Sequence, residues 1–107
     1  MLFVWDEWNL EHIAKHDVAP NEAEEVANGA ARPFPKRAGR GKYLVRGETS
    51  AGRYLQVIYV HLSSDTIDVR RLDFLDRVEL ERIGKAAYII HARDLSQRER
   101  HIIRRGG

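Results

Sequence analysis

The chain has 107 residues, with 18 Lys and Arg against 16 Asp and Glu, 43% hydrophobic residues, 32% charged residues and no cysteine. This predicts a single soluble domain spanning 1–107 and excludes a disulfide scaffold, Cys-ligated zinc and thiol redox chemistry. The net charge of +2 conceals a segregation: residues 1–29 hold seven acids and one base, residues 30–60 hold seven bases and one acid, and residues 89–107 hold five Arg against two acids.

The opening Met-Leu-Phe-Val-Trp-Asp has no basic or apolar signal region, and no apolar run is long enough to span a bilayer. No membrane partner and a cytoplasmic location are therefore expected. Phe3 to Trp5 are β-prone, and Asp6 suits the cap of a first helix from Glu7 to His16, with Leu10, Ile13 and Ala14 at helical spacing. Pro20 suits the first position of a second helix, striped by Ala23, Val26 and Ala27 and stopped by a left-handed Asn28-Gly29, although Ala19 has no capping side chain. Residues 30–42 contain two of the three prolines, two glycines and five bases, and read as a loop.

Lys42–Arg46 and Arg53–His61, joined by a turn over 47–52, predict an antiparallel hairpin. Ser63-Ser64-Asp65 turns the chain into an expected third strand over Thr66–Leu72, followed over 73–85 by a short helix, favoured by the spacing of Leu75 and Val78 over an edge strand alternating through Val78, Leu80 and Arg82, and by a buried strand over Ala86–Ala92. Ser96-Gln97-Arg98-Glu99 is a capping box that starts a basic C-terminal helix. The expected class is α+β, with the N-terminal helices and the C-terminal helix packed on one face of a small, mostly antiparallel sheet. Trp5 is expected in the core, whereas Trp8 suits either the core or a partner surface.

His12 and His16 stand four apart, as paired metal ligands do, but the Glu of H-E-x-x-H and a third ligand at motif spacing are missing. No metal is expected. The glycines form no Walker or dinucleotide loop and no G-x-S-x-G elbow occurs, so no nucleotide or other cofactor is expected. What remains is basic. RNA can be cut through its own 2′-OH by a proton acceptor, a proton donor and cations around the phosphate, and His, Lys and Arg suffice. His16, beside Lys15, can act as base or acid, and Arg37, Arg40, Arg46 and His91 are candidate RNA contacts, with His91 and Arg93 alternating onto one strand face. The competing reading makes the basic segment a solvated loop and pairs Arg53 and Arg93 with acids of the front helices.

Phe3-Val4-Trp5-Asp6, Asn9, Lys15-His16-Asp17-Val18, Glu22-Ala23-Glu24-Glu25-Val26, Gly52-Arg53-Tyr54-Leu55-Gln56-Val57, Ile89-Ile90-His91-Ala92-Arg93 and Ser96-Gln97-Arg98-Glu99-Arg100 occur in that order. Together they resemble the BrnT family of ribonuclease toxins over most of the chain. The resemblance implies a RelE/ParE-like fold, metal-independent RNA cleavage that arrests translation, and neutralisation by a cognate BrnA-like antitoxin, with DNA reached only through the antitoxin complex. By motif position it carries over Lys15, His16, Arg53 and Arg93 as catalytic residues. Three departures stand out. Asp17 replaces a commoner glycine and must make the turn itself, His91 replaces a small hydroxyl residue, and an apparent insertion around 65–85 is expected either to cover the active face or to extend the partner surface. Two rival readings share the fold: a non-catalytic RNA- or protein-binding module, and a ParE-like inhibitor of a DNA-handling enzyme.

Overall fold

In the computed structural model the backbone of residues 1–106 and the side chains of residues 1–102 are described. Four antiparallel strands lie in the order β1 (Lys36–Arg37), β2 (Lys42–Glu48), β3 (Tyr54–Ser63), β4 (Lys85–Asp94). Helices α1 (Glu7–Ala14) and α2 (Pro20–Asn28) precede the sheet, α3 (Phe74–Ile83) lies between β3 and β4, and α4 (Gln97–Gly106) follows β4. None of the described helices is long and apolar enough to cross a membrane.

One core holds the sheet to α1 and α2. Ile13, Ala23, Val26 and Ala27 pack on Val45, Leu55, Val57 and Ile89, all nearly inaccessible. Trp5 packs partly buried against this core, whereas Trp8 is 53% exposed. The β-prone start contributes a single parallel bridge, Phe3 to Ala87, rather than a strand.

Local chemistry sets the helix ends. The Asp6 carboxylate accepts from the Asn9 N–H and the Asn9 amide oxygen accepts from the Asp6 N–H, which starts α1. The helix stops at Ala14, two residues before the expected end. Val18 N–H donates to the Ile13 carbonyl and Asp17 N–H to that of Ala14, the paired bonds of a Schellman turn, and Asp17 sits at φ 57°. Asp17 therefore does adopt the left-handed conformation the sequence demands of it. At the start of α2 the Ala19 N–H donates to the Glu22 carboxylate, the half of a capping box that needs no side chain on Ala19. Gly29 closes the helix at φ −88°, so the expected left-handed stop is absent; a Cβ there would lie 3.2 Å from the Glu25 carbonyl oxygen. Close approach, not positive φ, suits glycine to this position.

Two further expectations fail. Residues 30–42 are not all loop, since Lys36 and Arg37 pair with Leu44 and Tyr43 as the short edge strand β1. The strand expected over Thr66–Leu72 is instead two single 3-10 turns, Ser64–Thr66 and Val69–Arg71. Thr66 donates its hydroxyl to the Ser63 carbonyl and Asp68 accepts the Arg70 N–H. Such local bonds compete with a sheet ladder, and β4 already fills the place beside β3.

The helix expected within 73–85 is present as α3, capped by Asp73 and ended by Gly84 at φ 80°. It buries Leu80 against Leu2 and Ala86. Ser63 pairs with Lys85 at one end of the β3–β4 ladder, and Leu55 pairs with Asp94 at the other. Ten residues of strand separate these ends by roughly 30 Å. The segment 64–84 thus lies at the end of the sheet away from Arg53 and Arg93 and covers neither.

Candidate functional site

Partners directly opposite on antiparallel strands share a face. Leu55, Val57, Val45 and Ala92 face α1 and α2, so Arg46, Gln56 and Arg93, which pair with one another across three strands, face the other way. Arg53 enters β3 from its turn and reaches back toward the helices. The two arginines carried over as a catalytic pair consequently lie on opposite sides of the sheet.

All five N–H groups of Arg53 are engaged. Nε and one Nη2 hydrogen meet the two Asp94 oxygens at 2.8 and 3.0 Å, Nη1 donates to Glu22 at 2.9 Å and to the Asp17 carbonyl at 2.7 Å, and Nη2 reaches the His16 carbonyl at 3.4 Å. These carbonyls belong to the turn that follows α1, near the helix C-terminus where a cation is favoured. The pairing pulls Asp94 below the usual carboxylate range and raises Arg53 further above its own. The expected pairing with an acid of the front helices is present in Glu22. Arg93 instead pairs with the C-terminal helix.

On the outer face the Glu99 carboxylate lies between two guanidiniums. Arg93 donates through Nη1 and Nη2 at 2.8 and 2.9 Å, and Arg46 through Nη2 at 3.0 Å. The Gln56 side-chain oxygen accepts from Arg46 at 3.0 Å and Arg93 at 3.3 Å, which fixes both arginines. Chiefly because of Arg93, Glu99 is drawn down to about 2. Ser96 and Glu99 complete the capping box that starts α4. The C-terminal helix therefore docks opposite α1 and α2, not on the same face as expected. Arg104 and Arg105 of the basic tail lie outside the side chains described.

At the edge of the sheet the rings form a cluster. His91 lies 5.3 Å from His16 and 6.4 Å from His12, centroid to centroid, and Trp8 stacks on His12 at 4.7 Å. Burial, and then the charges of His16, Arg93 and His12, lower the His91 pKa. His16 is exposed in the turn after α1, with Lys15 exposed beside it. A cleft of about 570 Å3 opens between the 29–38 segment, β2 and α4. Arg37, Arg46, Arg32 and Lys36 line it with Phe34, and the Lys36 ammonium lies 5.6 Å from the Phe34 ring centre. Arg40 stands apart, exposed in the β1–β2 turn.

The structure thus joins His16 with His91, and Arg37 with Arg46, while separating Arg53 from Arg93. Gln56, Asp94 and Glu99 are functional candidates absent from the sequence reading, which weighed His12 only as a metal ligand. A signal existed for Gln56, the one amide in the apolar run Tyr54-Leu55-Gln56-Val57-Ile58. Among the described residues no cluster of three or more His, Asp or Glu has the arrangement of a metal site. No family model, curated protein or solved structure matches this chain.

Proposed function

We propose that the protein is a metal-independent endoribonuclease of the BrnT toxin type, on a RelE/ParE-like version of the α+β fold, and that His91 and His16 are its acid–base pair. The observation that carries this reading is the contact of the two imidazoles, 5.3 Å between centroids, one half-buried and one exposed, with Arg93 on the same strand as His91. A base must be neutral near pH 7, and burial holds His91 in that form. His91 takes the 2′-OH proton, O2′ attacks phosphorus, the P–O5′ bond breaks, and His16 imidazolium protonates O5′ to leave a 2′,3′-cyclic phosphate and a free 5′-OH. Arg93 offers charge to the phosphate in transit. Arg53, with every donor occupied, holds the turn that carries His16. Lys15, next to it, adds positive potential at the mouth of the site. A cognate BrnA-like antitoxin is the proposed protein partner, with DNA contacted only through that complex, and the cytoplasm is the proposed location.

The test is an RNA oligonucleotide incubated with purified protein in EDTA, beside a DNA oligonucleotide of the same sequence. Cleavage of RNA alone is expected, with cyclic-phosphate ends and a loss of roughly 100-fold or more in His91→Gln and His16→Gln. No cleavage, or cleavage abolished by EDTA, rejects the proposal. One observation favours a non-catalytic RNA-binding module instead: Arg53 and Arg93 are both already neutralised by acids of the same chain. In that case RNA binds, with steep salt dependence, and stays intact.

A further inference from the structure

The docking of α4 is unusual in what holds it. Of its side chains from Gln97 to Ile102, Glu99 alone is not exposed, and none of the six is buried. The described part of the helix brings no apolar residue into either core. Among the described side chains it meets the sheet through Glu99 with Arg46 and Arg93, and through Arg100 over the Tyr54 ring at 5.1 Å. The first turn of the helix is thus anchored by an anion.

What the anion occupies has the chemistry of a phosphate site. Two guanidiniums converge on one carboxylate, an arrangement that matches phosphate oxygens equally well. Gln56, 6% exposed, braces both arginines from beneath. Two cations face a single acid, leaving one charge uncompensated. Arg46 also lines the cleft, together with Arg32, Lys36, Arg37, Phe34 and Ile102. A strand with one phosphate at Arg46 and Arg93 has further cations and an aromatic surface along its continuation.

We propose that Arg46, Gln56 and Arg93 form a binding site for a backbone phosphate of single-stranded RNA, and that Glu99 is a built-in occupant which that phosphate displaces, moving α4 aside. The identity of the anion rests on the endoribonuclease reading; the displaceable carboxylate does not. Glu99 and the phosphate compete for the same donors, so the helix is an internal brake on RNA binding.

The experiment uses the full chain and a fluorescein-labelled eight-nucleotide RNA, followed by anisotropy at several salt concentrations. Glu99→Gln keeps the shape and removes the charge. It is expected to tighten binding about tenfold and, by removing the one acid that competes with the one bound phosphate, to steepen the slope of log affinity against log salt by roughly 0.7. Arg93→Gln in the same chain abolishes the gain. Glu81→Gln, which removes an exposed acid from α3 at the far end of the sheet, controls for net charge. Unchanged affinity in Glu99→Gln, or an equal gain in Glu81→Gln, overturns the proposal. In the wild type, which needs no substitution to fold, adding the oligonucleotide should speed hydrogen exchange at the Arg100 amide, which donates to Ser96; slower exchange there also overturns it. Tighter binding without cleavage keeps the brake and removes the enzyme, whereas cleavage at wild-type affinity keeps the enzyme and removes the brake.

Discussion

Arg53→Gln separates a structural arginine from a catalytic one. Its guanidinium joins four segments: Asp94 at the end of β4, Glu22 in the first turn of α2, the Asp17 carbonyl after α1, and β3 itself. The Asp94 side chain is 60% exposed, so its two bonds are screened and contribute about 0.5 to 1 kcal/mol together. Arg53 and Glu22 are each about a quarter exposed. Their bond and the one to the Asp17 carbonyl are worth roughly 1 kcal/mol each, the lower range for charged groups. The sum is about 2 to 3 kcal/mol, which in a domain of this size lowers Tm by roughly 8 to 15 °C. Thermal unfolding followed by circular dichroism reads it directly. Arg53→Lys should keep less than half of the effect, because one ammonium cannot span five acceptors. A Tm within about 2 °C of wild type, accompanied by lost cleavage, would refute the clamp and return Arg53 to the phosphate.

Three other outcomes are expected. His91 is lowered chiefly by burial and His61 by burial and Lys85, so the unfolded chain takes up protons first as pH falls below about 6.5. Stability is therefore whole above that pH and declines below it. Urea midpoints at pH 7.5 and 5.5 should differ in that direction, and less in His91→Gln; a steeper decline below pH 4.5 follows from the depressed Glu99, Asp94 and Asp6. Asp17→Gly relieves a left-handed residue but frees the unfolded chain, so it should shift stability by less than about 1 kcal/mol, whereas Asp17→Val should cost about 2 kcal/mol in urea unfolding. Replacing residues 64–84 by Asn-Gly closes a hairpin whose last pair is already Ser63 with Lys85. Stability should fall through exposure of Leu2 and Ala86, while RNA binding stays within twofold; a loss of binding would place the segment in the site.

Elements with a local chemical reason were legible. Asp6, Pro20 and the Ser96 to Glu99 box mark helix starts by satisfying or omitting backbone donors, and the 47–52 turn marks the hairpin. The stretch Thr66–Leu72 was misread because its alternating aliphatics resemble a strand, whereas the outcome depends on which strand reaches the edge of β3 first. The site was legible by residue type and not by side. Arg53 and Arg93 look equivalent in one dimension; strand alternation and the partners that meet them decide otherwise. Glu99 is the sharpest case, since the capping box accounts for it fully in sequence and conceals its second set of partners, 46 and 93, on two distant strands.

That division of labour has a physical logic at the end of β4. Arg93 and Asp94 are neighbours pointing to opposite faces, and Arg93 also donates to the Asp94 carbonyl. A ligand arriving from the outer face meets Arg93 and competes with one replaceable carboxylate. The bonds of Asp94 to Arg53, and of Arg53 to the turn bearing His16, lie on the inner face and need not break for it to enter. Under the proposed function an imidazole works against a phosphate that must come and go, and this asymmetry supplies a frame that stays and an anion that leaves. Arg53→Lys should therefore act on stability with affinity nearly intact. Arg93→Lys should act on affinity for RNA and, because the described side chains of α4 bury so little, hardly on Tm; reversal of that pattern would mean that the frame and the exchangeable site have been assigned to the wrong arginines.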